Sequence, residues 1–280
     1  EINAPAGSEV AALRGSRRWR QATAPVPLEP ADGQAVAFKQ NGVYLMVGGF
    51  SEVALALAEE LASKYGARLA LVSRLQLPPR ELWDDGRTGF FDKRVRQAIR
   101  AIRRLEQGGA DVLHVTADVT DVEAMTTAVG DVVEHFGRID GVFHCAGTLD
   151  DGLLVSKTPQ SMERVLSAKV TGTRVLDVVL KDLPLDFLVL FSSTSTDVPR
   201  AGQSDYVAAN AFLNAYAAGS AQGEGVRGRI FLAVHWGIWD EVGLAARAIG
   251  LEQKAERTTA PTPRSPLFER IIEHGSGEAP

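Results

Sequence analysis

The chain has a single cysteine, Cys145, in 280 residues. No internal disulfide can form, which suits a reducing compartment and predicts a cytoplasmic protein. Within the run GVFHCAG, Cys145 reads as a small packed residue at a strand end. There is no apolar run of membrane-spanning length and no signal sequence, so no membrane association is expected. There is no excess of positive charge either. The 30 Lys and Arg against 35 Asp and Glu leave a net charge of −5, which argues against a nucleic-acid partner. Histidine is scarce: His114, His135, His144, His235 and His274 show no ligand-like spacing, so no metal is expected. No repeat or low-complexity tract is present. The first residue is not methionine, so the sequence reads as the interior of a longer protein.

What is present is enough apolar material for a sizeable core: 45% of the residues are hydrophobic. That suits one α/β domain with extra segments. Short apolar runs bounded by Gly or polar residues predict strands at Val43–Val47, Leu69–Ser73, Val112–Thr116, Gly141–His144, Phe187–Phe191 and Ile230–His235. Helical patterns lie between them, near 53–65, 92–106, 121–136, 158–181 and 203–221. Strands alternating with helices predict an α/β fold, a Rossmann-type doubly wound parallel sheet with helices on both faces.

The chain is organised around Leu188–Tyr216, LVLFSSTSTDVPRAGQSDYVAANAFLNAY. An apolar strand runs into hydroxyls, with Ser193 just past its end. Open α/β sheets place ligand groups at the carboxyl ends of strands. A helical segment then carries Tyr206 and Asn210, four apart and so on one face. A phenol and a hydroxyl converging there can bond one carbonyl oxygen. Taken alone, a buried tyrosine and a helix-capping serine account for the same residues.

The segment resembles the active-site run of the ketoreductase domains of modular polyketide synthases, in the short-chain dehydrogenase/reductase superfamily. The matching features are FSS, GQSDY thirteen positions on from Ser193, and AANAFLNAY. Most of that superfamily has a lysine four after the tyrosine. The polyketide branch has asparagine there and its lysine upstream. This chain has Asn210, and Lys169 in SAKVTGT. The resemblance implies Tyr206 as proton donor, Ser193 as orienting hydroxyl, Lys169 as the cation that lowers the tyrosine pKa and holds the nicotinamide ribose, and Asn210 as support for the lysine or a water.

It also implies a cofactor turn after the first strand of the domain. The family pattern is Thr-Gly-Gly-x-Gly-Gly-x-Gly. This chain has Val47-Gly48-Gly49-Phe50-Ser51-Glu52-Val53-Ala54, so only Gly48 and Gly49 survive. Ala54 adds a methyl where packing is tight. Glu52 puts a carboxylate where the helix dipole should meet phosphate, and it can cap the helix itself. Arg74 follows the second strand, where an arginine suits a 2′-phosphate and hence NADPH. Asp118 and Val119 in TADVTD resemble the adenine contact. His144-Cys145-Ala146-Gly147 resembles the motif beneath the cofactor, and His235–Trp239 the segment at the nicotinamide end.

The resemblance spans roughly residues 40–250. Residues 1–40 resemble a post-acyltransferase connector, with Trp19 packed in a surface groove. The catalytic domain is expected over 41–252 and a C-terminal linker over 253–280. The structural half found in many such ketoreductases is not visible. The insertion SRLQLPPRELWDDGRTGFF is family-like. The helix after it carries Lys93, Arg94, Arg96, Arg100, Arg103 and Arg104. These form a solvated face or, on a second reading, a docking patch for an acidic carrier protein.

The function implied is NADPH-dependent reduction of a β-ketoacyl thioester carried by an acyl carrier protein, among neighbouring domains of one synthase. Leu149-Asp150-Asp151 resembles the B-type signature. The A-type tryptophan, eight before Tyr206, is replaced by Val198. With Gln203 before the tyrosine, these residues imply stereocontrol toward the D-hydroxyl. The loops carrying them are expected to flank opposite sides of the cleft. The alternative is a silent pseudo-ketoreductase kept as a scaffold, because the glycine turn is degraded.

Overall fold

The computed structural model describes residues 11–20, 38–83, 91–222 and 229–237. Ile238, Trp239 and the stretch 253–280 lie outside the described residues, as do most of the 1–40 connector and part of the insertion.

A six-stranded parallel sheet forms the centre. Its strands are β3 (Val43–Val47), β4 (Arg68–Ser73), β5 (Asp111–Thr116), β6 (Gly141–His144), β7 (Phe187–Ser193) and β8 (Ile230–Trp236). The helices are α1 (Glu52–Tyr65), α2 (Lys93–Gln107), α3 (Val122–Phe136), α4 (Pro159–Val179) and α5 (Ser204–Gln222). The strand order is β5-β4-β3-β6-β7-β8. The strand order changes its direction of progression between β3 and β6, which run parallel, and this is the switch point where such sheets bind ligands.

Side-chain alternation explains why both faces are covered. Tyr44 and Met46 of β3, Leu69 and Leu71 of β4, and Phe187 and Val189 of β7 pack on one side with Leu57, Leu61, Ile99 and Ile102 of α1 and α2. Val43, Leu45, Ala70, Val72, Leu188 and Leu190 pack on the other with Met125, Val132, Leu176 and Leu213 of α3, α4 and α5. The strands therefore read as unbroken apolar runs, as the sequence suggests.

The helices start at predictable caps. Asp92 accepts from Arg94 N, and Asp121 from Glu123 N and Ala124 N. Thr158 and Ser161 form a capping box, with Pro159 in the first helical position. On α2 the basic residues Lys93, Arg94, Arg100 and Arg104 face solvent, while Ala98, Ile99, Ile102 and Leu105 are buried.

The connector contains a feature the composition hid. β1 (Ala11–Arg14) and β2 (Arg17–Arg20) form an antiparallel hairpin around Gly15, whose φ is 60°. Trp19 is 53% exposed, so it does not fill a groove as expected.

Candidate active site

The turn after β3 is built by steric necessity. A Cβ on Gly48, at φ 78°, would lie 2.6 Å from Ala146 Cα and N; one on Gly49 would lie 2.9 Å from Met46 O. The two glycines that the chain retains are thus the two the fold requires. They bring the ends of β3 and β6 together, and with them Gly48, Gly49, Ala146 and Gly147.

Ser51 is the N-cap of α1: its hydroxyl accepts from Ala54 N at 3.3 Å. A hydroxyl suffices here because the cap sits one residue before the first turn. Glu52 is the first helical residue and is partly exposed. Ala54 sits where packing is tight. It is fully buried and joins the core beside Leu57 and Met46. Phe50 packs on His114, with ring centroids 5.3 Å apart. Burial holds His114 down to about 4, so it is neutral at pH 7.

At the ends of β4 and β5, Arg74 Nη1 lies 3.8 Å from Asp118 Oδ2, with the arginine side chain 74% exposed. The other oxygen of Asp118 accepts from Thr120 N and Oγ1 at 2.9 and 2.8 Å. Val119 is buried, and α4 approaches it through Gly172, whose Cβ would fall 2.9 Å from Val119 Cγ1. Gly172 was not singled out from sequence, although it sits in the quoted SAKVTGT.

Lys169 projects from α4 beneath the carboxyl edge of the sheet. It is 4% exposed, and its Nζ donates to Phe191 O at 2.6 Å. Burial lowers its pKa to about 8. Beside it lie Gly147 and two buried groups. A Cβ on Gly147 would touch Lys169 Cε at 3.2 Å. His144 Nε2 bonds Ala168 O at 3.1 Å; burial first, and the Lys169 charge second, depress its pKa to about 3. With Nε2–H donating, its Nδ1 is an acceptor without a partner. Burial pushes the Cys145 thiol up, so it stays protonated.

Ser193 ends β7 and Tyr206 lies in the first turn of α5. The Ser193 hydroxyl lies near enough to the Tyr206 phenol to favour its ionised form. Ser193 Oγ also accepts from Ser195 N at 3.1 Å, capping the short 3-10 turn 194–196. The capping and site readings of this serine therefore coexist. Asn210 Nδ2 donates to the Tyr206 main-chain oxygen at 2.8 Å, while its Oδ1 is buried without a bonded partner. Asn210 thus holds its own helix rather than Lys169.

The tyrosine corrects another expectation. Its pKa is raised, not lowered. Burial dominates, the Ser193 hydroxyl and Asn210 amide oppose it, and the Asp151 charge adds to the rise. The Lys169 ammonium is directed at Phe191 O instead. A raised value keeps Tyr206 protonated at neutral pH, the form a proton donor needs.

The loops around the site are joined, not opposed across a cleft as expected. Gly152 N donates to Gly202 O at 2.9 Å, and Gln203 Nε2 to Asp151 Oδ2 at 2.9 Å. The segment after Leu149 and the segment before Tyr206 therefore form one rim. Asp150 accepts from Arg164 Nη2 at 2.8 Å, so neither aspartate is simply solvated. Val198 is 73% exposed. From β8, His235 Nδ1 lies 3.1 Å from Asp197 Oδ2, and Trp236 packs on Phe191 at 5.1 Å.

This parallel order, with a glycine turn at its switch point and a tyrosine–serine pair at a strand end, defines a dinucleotide-dependent reductase of the short-chain class. The sequence matches the model of the KR domain family over residues 42–241. The chain is 35% identical over 222 residues to the 6-methylsalicylic acid synthase of Aspergillus terreus, covering 78% of this chain and 12% of that protein. It is 32% identical over 216 residues to polyketide synthase PksN of Bacillus subtilis, covering 74% and 4%. A solved structure of A-type ketoreductases from a modular polyketide synthase superposes with TM-score 0.73 at 29% identity, covering 95% of this chain and 52% of that one. The chain belongs to the KR domain family, the ketoreductase domains of modular polyketide synthases. Its members are oxidoreductases acting on a β-keto group, and membership implies a nicotinamide cofactor. The chain spans only a small part of the synthases it matches.

The residues fit such a cofactor. Gly48 and Gly49 form a turn at the switch point that admits no side chain, and Arg74, 74% exposed and paired with Asp118, stands at the end of β4. Glu52 places a carboxylate in the first turn of α1, which opposes an anionic group there. Among the described residues, no helix is long and apolar enough to cross a membrane, and no group of three or more His, Cys, Asp or Glu is placed to hold a metal.

Proposed function

We propose that the domain, over residues 41–252, reduces a β-ketoacyl thioester borne by an acyl carrier protein to the D-β-hydroxyacyl thioester. NADPH is the reductant, and residues 1–40 and 253–280 connect to neighbouring domains of the same synthase. The observation that carries this reading is the Tyr206–Ser193 hydroxyl pair at the end of β7, backed by the buried Lys169.

Gly48, Gly49 and Phe50 would hold the diphosphate, Arg74 the 2′-phosphate, Asp118 and Val119 the adenine, and Ala146 and Gly147 the underside. Bound there, the reduced nicotinamide supplies a hydride to the β-carbon. The chain supplies the proton and the orientation. Ser193 Oγ uses an acceptor site on Ser195 N, so its O–H is left to donate, to the Tyr206 oxygen here and to the ketone oxygen with substrate bound. Tyr206 donates its proton to that oxygen as negative charge develops. The buried Lys169 ammonium, anchored on Phe191 O, would hold the nicotinamide ribose. Asn210 fixes the first turn of α5 through the Tyr206 carbonyl.

A second reading, the silent scaffold, is favoured by Glu52 in the first turn of α1. Titration of the domain with NADPH, followed by single turnover of a β-ketoacyl pantetheine thioester, tests both. Binding with stoichiometric β-hydroxy product supports the reductase. Absence of binding supports the scaffold.

A further inference from the structure

The rim of the site contains a buried ion pair that the reduction chemistry does not use. Lys157 follows the short 3-10 turn Leu154–Ser156. Its Nζ lies 2.6 Å from Asp205 Oδ2, and the two side chains are 4% and 1% exposed. The same ammonium donates to the Asp150 main-chain oxygen. The second oxygen of Asp205 accepts from the N–H of Tyr206 at 2.9 Å. One cation and one anion thus join the carbonyl of the Leu-Asp-Asp segment to the backbone of the proton donor. The neighbouring Arg164–Asp150 pair differs: its side chains are 63% and 38% exposed, in the range where pairs contribute little.

A buried pair is a weak source of stability, because desolvating both charges offsets most of their attraction. An apolar pair of similar volume would serve the core as well. What the ions add is direction: two strong, short hydrogen bonds with defined geometry on each side. The atoms they locate are at the site. Tyr206 sits next to Asp205, and Asp150 and Asp151 lie on the strap that Lys157 holds. The Gly152–Gly202 and Gln203–Asp151 bonds close the same rim up to the residue before α5, and the Lys157–Asp205 pair lies inside the helix's first turn, next to Tyr206.

Resting on the ketoreductase reading above, we propose that Lys157 and Asp205 are positioning residues, a clamp that sets Tyr206 against the rim bearing Leu149–Asp151 and so couples turnover to product stereochemistry. The pair touches neither substrate nor cofactor. Loosening it lets the tyrosine and the rim move independently. The hydride and proton are then delivered to a ketone held less well, and from either face.

The test uses the whole chain and three variants: Lys157→Met, Asp205→Asn and the double variant. Each single change strands one buried charge and is expected to destabilise. The double variant removes both charges and should melt close to the parent. It should lose about 10- to 100-fold in kcat, as misplacement of a reacting group does. Its affinity for NADPH should be unchanged, and its D:L product ratio should fall toward unity. Amide hydrogen exchange of segments 149–157 and 200–206 should accelerate together, by about tenfold or more, as a local opening would cause. A folded double variant with parental kcat, product ratio and exchange overturns the proposal. Acceleration confined to one segment overturns the coupling. A parent that reduces no ketone sinks the functional reading alone, because the exchange measurement still decides whether the clamp exists.

Discussion

Lys169 donates to the main-chain oxygen of Phe191 at 2.6 Å, from a position almost closed to solvent. This contact places a cation under the end of β7, with no carboxylate paired to it among the described residues. Burial lowers its pKa to about 8, against an opposing contribution from Cys145. The ammonium is therefore charged below that pH and neutral above it. Ketone reduction should decline as the pH rises through about 8, since Tyr206 itself stays protonated well beyond it. Stability should move the other way. The folded lysine titrates near 8 and the unfolded one near 10.5, so between these values the unfolded chain binds more protons. Stability then rises with pH across that window. Rate and denaturation profiles of the parent and Lys169→Met check both signs; the variant should show neither effect.

Tyr206→Phe removes the proposed proton donor and leaves the ring. Reduction of a β-ketoacyl thioester should fall by about 10²- to 10⁴-fold, the usual range for a general acid. NADPH affinity and circular dichroism should not change, because the proposed cofactor residues lie in the turns after β3, β4, β5 and β6 and on α4. Turnover near the parental rate would remove Tyr206 from the mechanism.

The cofactor turn separates two substitutions that look alike in sequence. Glu52→Gly removes a charge from the helix terminus and should tighten NADPH by about two- to fivefold, from the ~0.3–1 kcal/mol such a charge is worth. Ala54→Gly should bring no gain. Its methyl is packed in the core, and glycine in a helix costs about 1 kcal/mol. Calorimetric titration with thermal melts distinguishes them. Equal tightening by both would mean that the methyl, not the charge, limits binding.

The main fold was legible because its strands are buried on both faces. Val43–Val47 and Phe187–Phe191 are unbroken apolar runs, and their expected starts coincide with those observed. The hairpin over 11–20 was not legible. It pairs Arg14 with Arg17 and Leu13 with Arg18, so neither face carries an apolar alternation. At the site, Ser193, Tyr206, Asn210 and Lys169 were singled out by the family resemblance of the motifs that carry them. Their bonds were not: Asn210 turns to its own helix, and Lys169 turns to Phe191. The Lys157–Asp205 pair joins residues 48 positions apart and has no local signature. Only the close approach of the loop after β6 to the start of α5 creates it. The expectation of opposed loops failed for the same reason, since the Gly152–Gly202 bond is invisible to sequence pattern.

That joined rim changes how stereocontrol should be probed. Gln203 and Asp151 share one hydrogen bond, so either side chain alone positions the other. Under the proposed reading, a tethered acyl chain entering over this rim would meet the bonded pair. A nicotinamide held in one orientation would supply hydride from one face, so the side of entry would decide which ketone face is reduced. We expect a D-configured product from a short β-ketoacyl thioester. Asp151→Ala, Gln203→Ala and the double variant should erode the D:L ratio to the same extent, with non-additive effects, as partners in a single bond do. Their kcat should fall less than the ratio, because neither group transfers a proton. Removing Asp151 also removes a charge that raises the Tyr206 pKa, so any rate change from that variant should appear at high pH. Chiral chromatography of the products, with rates across pH, decides the matter. A predominantly L product from the parent overturns the assignment of this rim, and additive losses in the double variant overturn the shared bond as its basis.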